Sequence, residues 1–155
     1  HHLRADEIDD LEATIAAGTG VDLDGDTYER VELVDEAFDV VLVDADPDVV
    51  RFGGDDEAFL TVQGANRHDP ASGIVTVDAG AISFVSDGAD VMRPGIVDAD
   101  ADIREGDLVT IAEETHGKTL AVGRALVDGS EMVGDAGKVV ESIHHVGDDL
   151  FEFSV

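Results

Sequence analysis

Apolar positions near the start of the chain recur at helical spacing: Leu3, then Ile8, Leu11 and Ile15, with Ala16 beside them. Residues three and four apart share one face of a helix, so residues 3–17 predict an amphipathic helix stopped by Gly18 and Gly20. The VDLDGD stretch at 21–26 reads as a turn. Residues 28–34 then alternate, with Tyr28, Val31 and Leu33 as candidate inward positions. After Asp35-Glu36, the run Phe38-Asp-Val-Val-Leu-Val43 predicts a buried strand. Pro47 punctuates, and residues 49–52 and 58–62 give two further strands around a Gly53-Gly54-Asp55 turn. Residues 64–73, which contain Gly64, Pro70 and Gly73, form the best linker candidate.

Beyond that stretch the pattern turns to short strands. Ile74 to Val77 is the first, and Asp78 can cap a short helix that packs Ala81, Ile82 and Val85 before Gly88 ends it. A strand and loop marked by Gly and Pro cover 89–96, and strands are expected at 107–112, 120–127, 139–145 and 150–155. Five or six short strands with one early helix predict a small β-barrel. The expected organisation is therefore a helix with four strands over residues 1–73 and a barrel over residues 74–155.

Charge changes this picture more than any motif does. Nine Lys and Arg stand against 37 Asp and Glu, for a net charge of −28. That much like charge on a small body opposes compaction in dilute buffer. In molar salt the screening length falls to about 3 Å, and the repulsion largely disappears. The acidic residues are dispersed rather than gathered in one tail, and only Lys118 and Lys138 are lysines. The balance reads as adaptation to a high-salt cytoplasm, as in a halophilic archaeon. An acidic face built for a basic partner would instead concentrate its carboxylates.

Several chemistries find no support. With no cysteine, disulfides and thiolate metal sites are excluded. No apolar run approaches the roughly 18 residues that span a bilayer, so no membrane partner is expected and the chain reads as cytoplasmic. The His1-His2 opening does not distinguish native residues from a tag remnant. Asp22, Asp24 and Asp26 resemble the start of a calcium loop, but Thr27 and Leu33 stand where that loop needs Gly and Glu. His144 and His145 are neighbours on an expected strand and so face opposite sides. No nucleophile elbow, P-loop or dinucleotide fingerprint is present. No catalytic residue, metal ligand or cofactor is expected.

The run Val77-Asp-Ala-Gly-Ala-Ile-Ser-Phe-Val-Ser-Asp-Gly-Ala-Asp-Val-Met-Arg-Pro-Gly-Ile96 resembles the opening of a PUA domain, the RNA-binding module of pseudouridine synthases and archaeosine transglycosylases. The ending Ile143-His-His-Val-Gly-Asp-Asp-Leu-Phe151 strengthens the likeness. The chain is similar in particular to archaeal relatives of the malignant-T-cell-amplified-sequence family, which place a dedicated N-terminal domain before the module. The resemblance implies an α+β N-terminal domain followed by a C-terminal PUA-type small β-barrel. It also implies association with translation: the small ribosomal subunit, the acceptor end of tRNA, initiation or recycling, and a density-regulated-protein-like partner. The family's eukaryotic members are far more basic, which weakens any mechanism that relies on broad attraction to phosphate.

On this likeness the RNA-binding residues are Gly88, Ala89, Arg93, Pro94, Gly95 and Phe151. Gly88 and Ala89 carry no bulky side chain, so a tRNA or rRNA strand could lie close to the main chain. Arg93 supplies a guanidinium for phosphate or base, while Pro94 and Gly95 shape the loop. The plainer account is that these residues only build a turn. Met92 reads as core. Phe151 and Phe153 could stack on bases or simply fill the interior. Five basic residues in 74–155 make no basic patch, so affinity for RNA is expected to hold or rise toward molar KCl. Two other roles remain open: an accessory subunit that delivers RNA to a modification enzyme, and an adaptor that binds only protein.

Overall fold

A computed structural model describes residues 1–33, 38–52 and 57–153. The expected Gly53-Gly54-Asp55 turn lies outside them, as do Val34, the Asp35-Glu36 pair and the last two residues of the chain. Helix α1 (Ala5–Thr19) runs two residues past its expected end, and Gly20 stops it at φ 73°, donating its N–H to Ala16. Glu7 accepts the Arg4 N–H at 3.0 Å and steadies the first turn. Leu11 and Ile15 are buried on the inward face.

Strands β1 (Tyr28–Glu32), β2 (Phe38–Val43), β3 (Asp46–Phe52) and β4 (Glu57–Leu60) form an antiparallel sheet in sequential order. Asp44 and Ala45 join β2 to β3 with φ of 52° and 71°, the left-handed pair that a two-residue hairpin requires. The Asp44 carboxylate accepts the N–H groups of Asp26 and Thr27, so the acidic stretch before β1 is held as a turn. Tyr28 donates its hydroxyl to Glu12 at 2.6 Å, and burial together with this bond pushes its pKa up to about 12. Pro47 sits ahead of the β4 ladder, which runs from Val49↔Leu60, so its missing N–H costs that ladder nothing.

Two expectations are corrected beyond β4. The segment read as a linker begins instead with helix α2 (Val62–His68), capped by the Thr61 hydroxyl accepting from Gly64. Where the last strand was expected, residues 150–152 instead form turns organised by Asp148. Its carboxylate accepts from His144 Nδ1 and from the N–H groups of His145 and Phe151. The second sheet joins β5 (Ile74–Val77), β6 (Val91–Met92), β7 (Ile96–Ala99), β8 (Leu108–Glu113), β9 (Thr119–Ala125) and β10 (Lys138–His145) in the barrel-like order β6-β10-β9-β8-β5-β7. Among the described strands, β5 and β8 alone pair in parallel. A short α3 (Ile82–Ser86) follows β5 through one 3₁₀ turn.

The expectation of an α+β N-terminal domain standing before a separate barrel is overturned, because the first sheet cannot bury both its faces alone. Val41, Val43 and Val49 pack toward α1, while Val40, Leu42 and Val50 face the other way. That second face is covered by Leu150 and Phe153, supplied from beyond β10. A further cluster unites Phe59 and Val62 with Val122, Val146 and Phe151. Polar bonds cross the same seam. Asn66 exchanges two hydrogen bonds with the main chain of Thr119, and Arg124 forms a two-pronged ion pair with Glu57. The Arg124 hydrogen bonds hold the Glu57 carboxyl below its ordinary range. The whole chain is one fold. No helix among the described residues is long and apolar enough to cross a membrane.

Removing Leu150 from the seam should therefore loosen the first sheet. Leu150→Ala is expected to cost about 2–4 kcal/mol in urea unfolding, with one transition for the whole chain. Burial pushes the Asp148 carboxyl upward, but the bonds from His144, His145 and Phe151 outweigh it and leave the pKa below the ordinary carboxylate range. A carboxyl lowered in the folded state stabilises fully above its unfolded value, and the stabilisation fades as pH falls through the folded one. Asp148→Asn should thus cost roughly 1–3 kcal/mol at neutral pH, and its deficit relative to wild type should shrink in unfolding curves taken at progressively lower pH.

Candidate nucleic-acid interface

Asp78 opens the site. Its Oδ1 accepts the Ala81 N–H at 3.1 Å, and its own N–H donates to Gly95 at 2.9 Å. These bonds fasten the start of the helical segment to the Arg93–Gly95 turn. Gly95 packs so closely on Ala81 that an added Cβ would lie 3.1 Å from the alanine methyl. Between these elements is a cavity of about 390 Å³, lined by Ala81, Phe84, Ala89, Met92, Pro94 and Gly95 among others. Phe84 is 67% exposed and Met92 49% exposed on its walls.

The acidic groups beside the cavity already have partners. Besides the Asp78 cap, Asp90 accepts the Ser142 N–H at 2.8 Å through one oxygen. Its other oxygen lies 3.4 Å from Lys138 Nζ. The cavity is thus an apolar surface on a strongly acidic chain, with its nearest carboxylates turned to internal bonds.

The structure brings Ala89, Pro94 and Gly95 together on this cavity. Gly88 stands behind it. Its φ of 92° and an added Cβ 2.8 Å from the His145 ring show that packing, rather than approach by a ligand, requires glycine there. His145 Nδ1 lies 3.0 Å from the Ser86 carbonyl, a bond in which the ring nitrogen must donate. Arg93 is also turned to structure: Nε donates to the Glu131 carbonyl and Nη1 to the Ala136 carbonyl, both at 2.9 Å. Phe151 is not with the others and packs in the seam near Val62 and Val122.

Met92 was expected in the core and is instead half exposed. Phe84 was missed. The signal was available, since Ala81, Ile82 and Val85 define the inward stripe of the short helix and leave position 84 off it. His144 and His145 do face opposite sides. His144 is buried at 1% exposure, where its Nε2 accepts the Val62 N–H at 3.0 Å.

A family model described as the PUA domain matches residues 73–147. An uncharacterized protein of Methanocaldococcus jannaschii is 42% identical, covering 77% of this chain and 74% of its own. A solved structure of a conserved PUA domain protein from Thermoplasma acidophilum is 30% identical with a TM-score of 0.83, covering 97% of this chain and 96% of its own. The chain belongs to the PUA-domain proteins. Translation machinery-associated protein 20 of Saccharomyces cerevisiae is also similar, 33% identical over 81% of this chain and 74% of its own. The matched segment contains the whole cavity. The likeness to the Thermoplasma PUA protein runs over 97% of this chain, which agrees with a single whole-chain fold rather than an added α+β domain.

Arg93→Ala should free the 131–137 segment from the cavity wall. Amide exchange is expected to quicken by about tenfold across that segment, the loss of roughly one net hydrogen bond, while exchange in β8 and β9 stays as in wild type.

Proposed function

We propose that this chain is a non-catalytic, cytoplasmic RNA-binding factor of the translation machinery, which holds an unpaired stretch of tRNA or rRNA against the cavity beside α3. The observation that carries the reading is the exposed Phe84 at an apolar cavity, in a chain whose net charge is −28. A polyanion cannot hold RNA by broad attraction, because release of counterions needs many cation–phosphate contacts. An aromatic face can hold a base by stacking, which is tolerant of sequence and, involving no cation–phosphate contact, releases no counterions for salt to oppose.

Membership in the PUA family supports RNA as the ligand. The name of the yeast relative supports a place in translation. The family resemblance extends this to the small ribosomal subunit near the acceptor end of tRNA, to initiation or recycling, and to a density-regulated-protein-like partner. Ala89, Pro94 and Gly95 give the strand a close approach to the main chain, and Met92 provides a second apolar contact.

The test is fluorescence anisotropy with a labelled single-stranded RNA of mixed sequence. Phe84→Ala is expected to weaken binding roughly 5- to 150-fold, the loss of one stacked base. Wild-type affinity should hold or rise from dilute buffer to molar KCl as self-repulsion is screened. Unchanged binding by Phe84→Ala, or a steep fall with salt, would overturn the reading.

A further inference from the structure

The loop between β9 and β10 carries features that barrel closure does not require. Met132 is wholly buried and anchors one end, while the next residue, Val133, is 60% exposed. Arg93 pins the other end: besides its two side-chain bonds, its N–H donates to the Gly137 carbonyl at 2.9 Å. Added Cβ atoms at Gly134 and Gly137 would lie 2.9 and 2.7 Å from the Arg93 side chain. The Arg93 side chain thus lies close under the loop, and the φ of 105° at Gly137 itself favours glycine there. Immediately after it, Lys138 pairs in register with Met92, which lines the cavity. Among the described residues its ammonium pairs with Asp90, at 3.4 Å, and the side chain is 46% exposed.

We infer that residues 133–138 form a second wall of the nucleotide-binding face, with Val133 as an apolar contact and Lys138 as the cation that meets a phosphate. This rests on reading the cavity as an RNA site. The charge contact passes from Arg93 to Lys138 because two of the guanidinium nitrogens are committed to carbonyls that hold the wall in place. Asp90 lines the cavity, so its pairing with Lys138 keeps the ammonium beside that edge in the absence of RNA. A phosphate can displace it without stranding the carboxylate, whose other oxygen keeps the Ser142 N–H. The exposed Asp135 on the same loop opposes phosphate, so the wall favours one localised contact over a phosphate track.

The experiment uses the full chain and two labelled probes, a mixed-sequence single-stranded RNA and an abasic strand of equal length. Lys138→Gln should weaken both probes most at low salt and make the slope of log affinity against log salt more positive by about 0.7, one single-strand phosphate contact. Lys138→Arg should retain the wild-type slope. Val133→Ser should weaken the base-bearing strand about fivefold at every salt concentration, with little effect on the abasic one. Both positions are exposed, so urea midpoints should match wild type and exclude misfolding. If Lys138→Gln and Val133→Ser bind as wild type while Phe84→Ala does not, the second wall is overturned and the cavity reading stands. If Phe84→Ala also binds as wild type, both fall.

Discussion

Where the barrel meets the first sheet, the ring of His144 makes two bonds that fix everything around it. Nε2 accepts the Val62 N–H at the start of α2, and Nδ1 lies 2.9 Å from the Asp148 carboxylate. An imidazole can satisfy both only with its proton on Nδ1, so the surroundings select one neutral tautomer. Asp148 in turn gathers the N–H groups of His145 and Phe151, bending the chain after β10 back over the first sheet. Leu150 is thereby delivered to the face of Val40, Leu42 and Val50. Without that ring the helix, the turn and the outer face of the sheet would have no common support.

The adjacent residue connects the same strand to the cavity beside α3. His145 lies against Gly88 and donates to the end of α3 at Ser86. Consecutive side chains of β10 thus grip α2 on one side and α3 on the other, as alternation along a strand dictates. The elements around the cavity are tied together for this reason. Its helix is held from below by His145, and at its entrance by Asp78 and Gly95. A site placed on such elements needs few charged groups to orient a ligand, which suits a chain this acidic.

Much of the architecture could be read from the residues. The spacing of Ile8, Leu11 and Ile15 gives α1, and the unbroken run to Val43 gives a strand buried on both faces. That run also carried the hint that the first sheet is not independent, since two apolar faces need two covers. What escaped was short or polar. Helix α2 offers only Val62, Gly64 and Ala65 to the interior, too few to set a period, and its Asn66 bonds belong to a distant strand. The chain after His145 alternates like a strand but is bent by Asp148, a constraint invisible without the partner N–H groups. Arg93 was read as a ligand contact because sequence cannot say which carbonyls lie within reach of a guanidinium. Gly88 was read as an opening, whereas its φ and the neighbouring imidazole demand glycine on packing grounds.

The dependence of the first sheet on Leu150 bears on how the molecule is made. A nascent chain emerging from its amino end exposes β1 to β4 long before the residues that cover their outer face have been synthesised. Val40, Leu42 and Val50 must wait through the whole of the barrel for that cover. Contacts of such long sequence separation are slow to form. The dense carboxylates flanking these strands hold water tightly, because taking a charge out of water is costly, and so keep a waiting, half-covered sheet in solution. Acidity that burdens the finished fold thus protects the unfinished one.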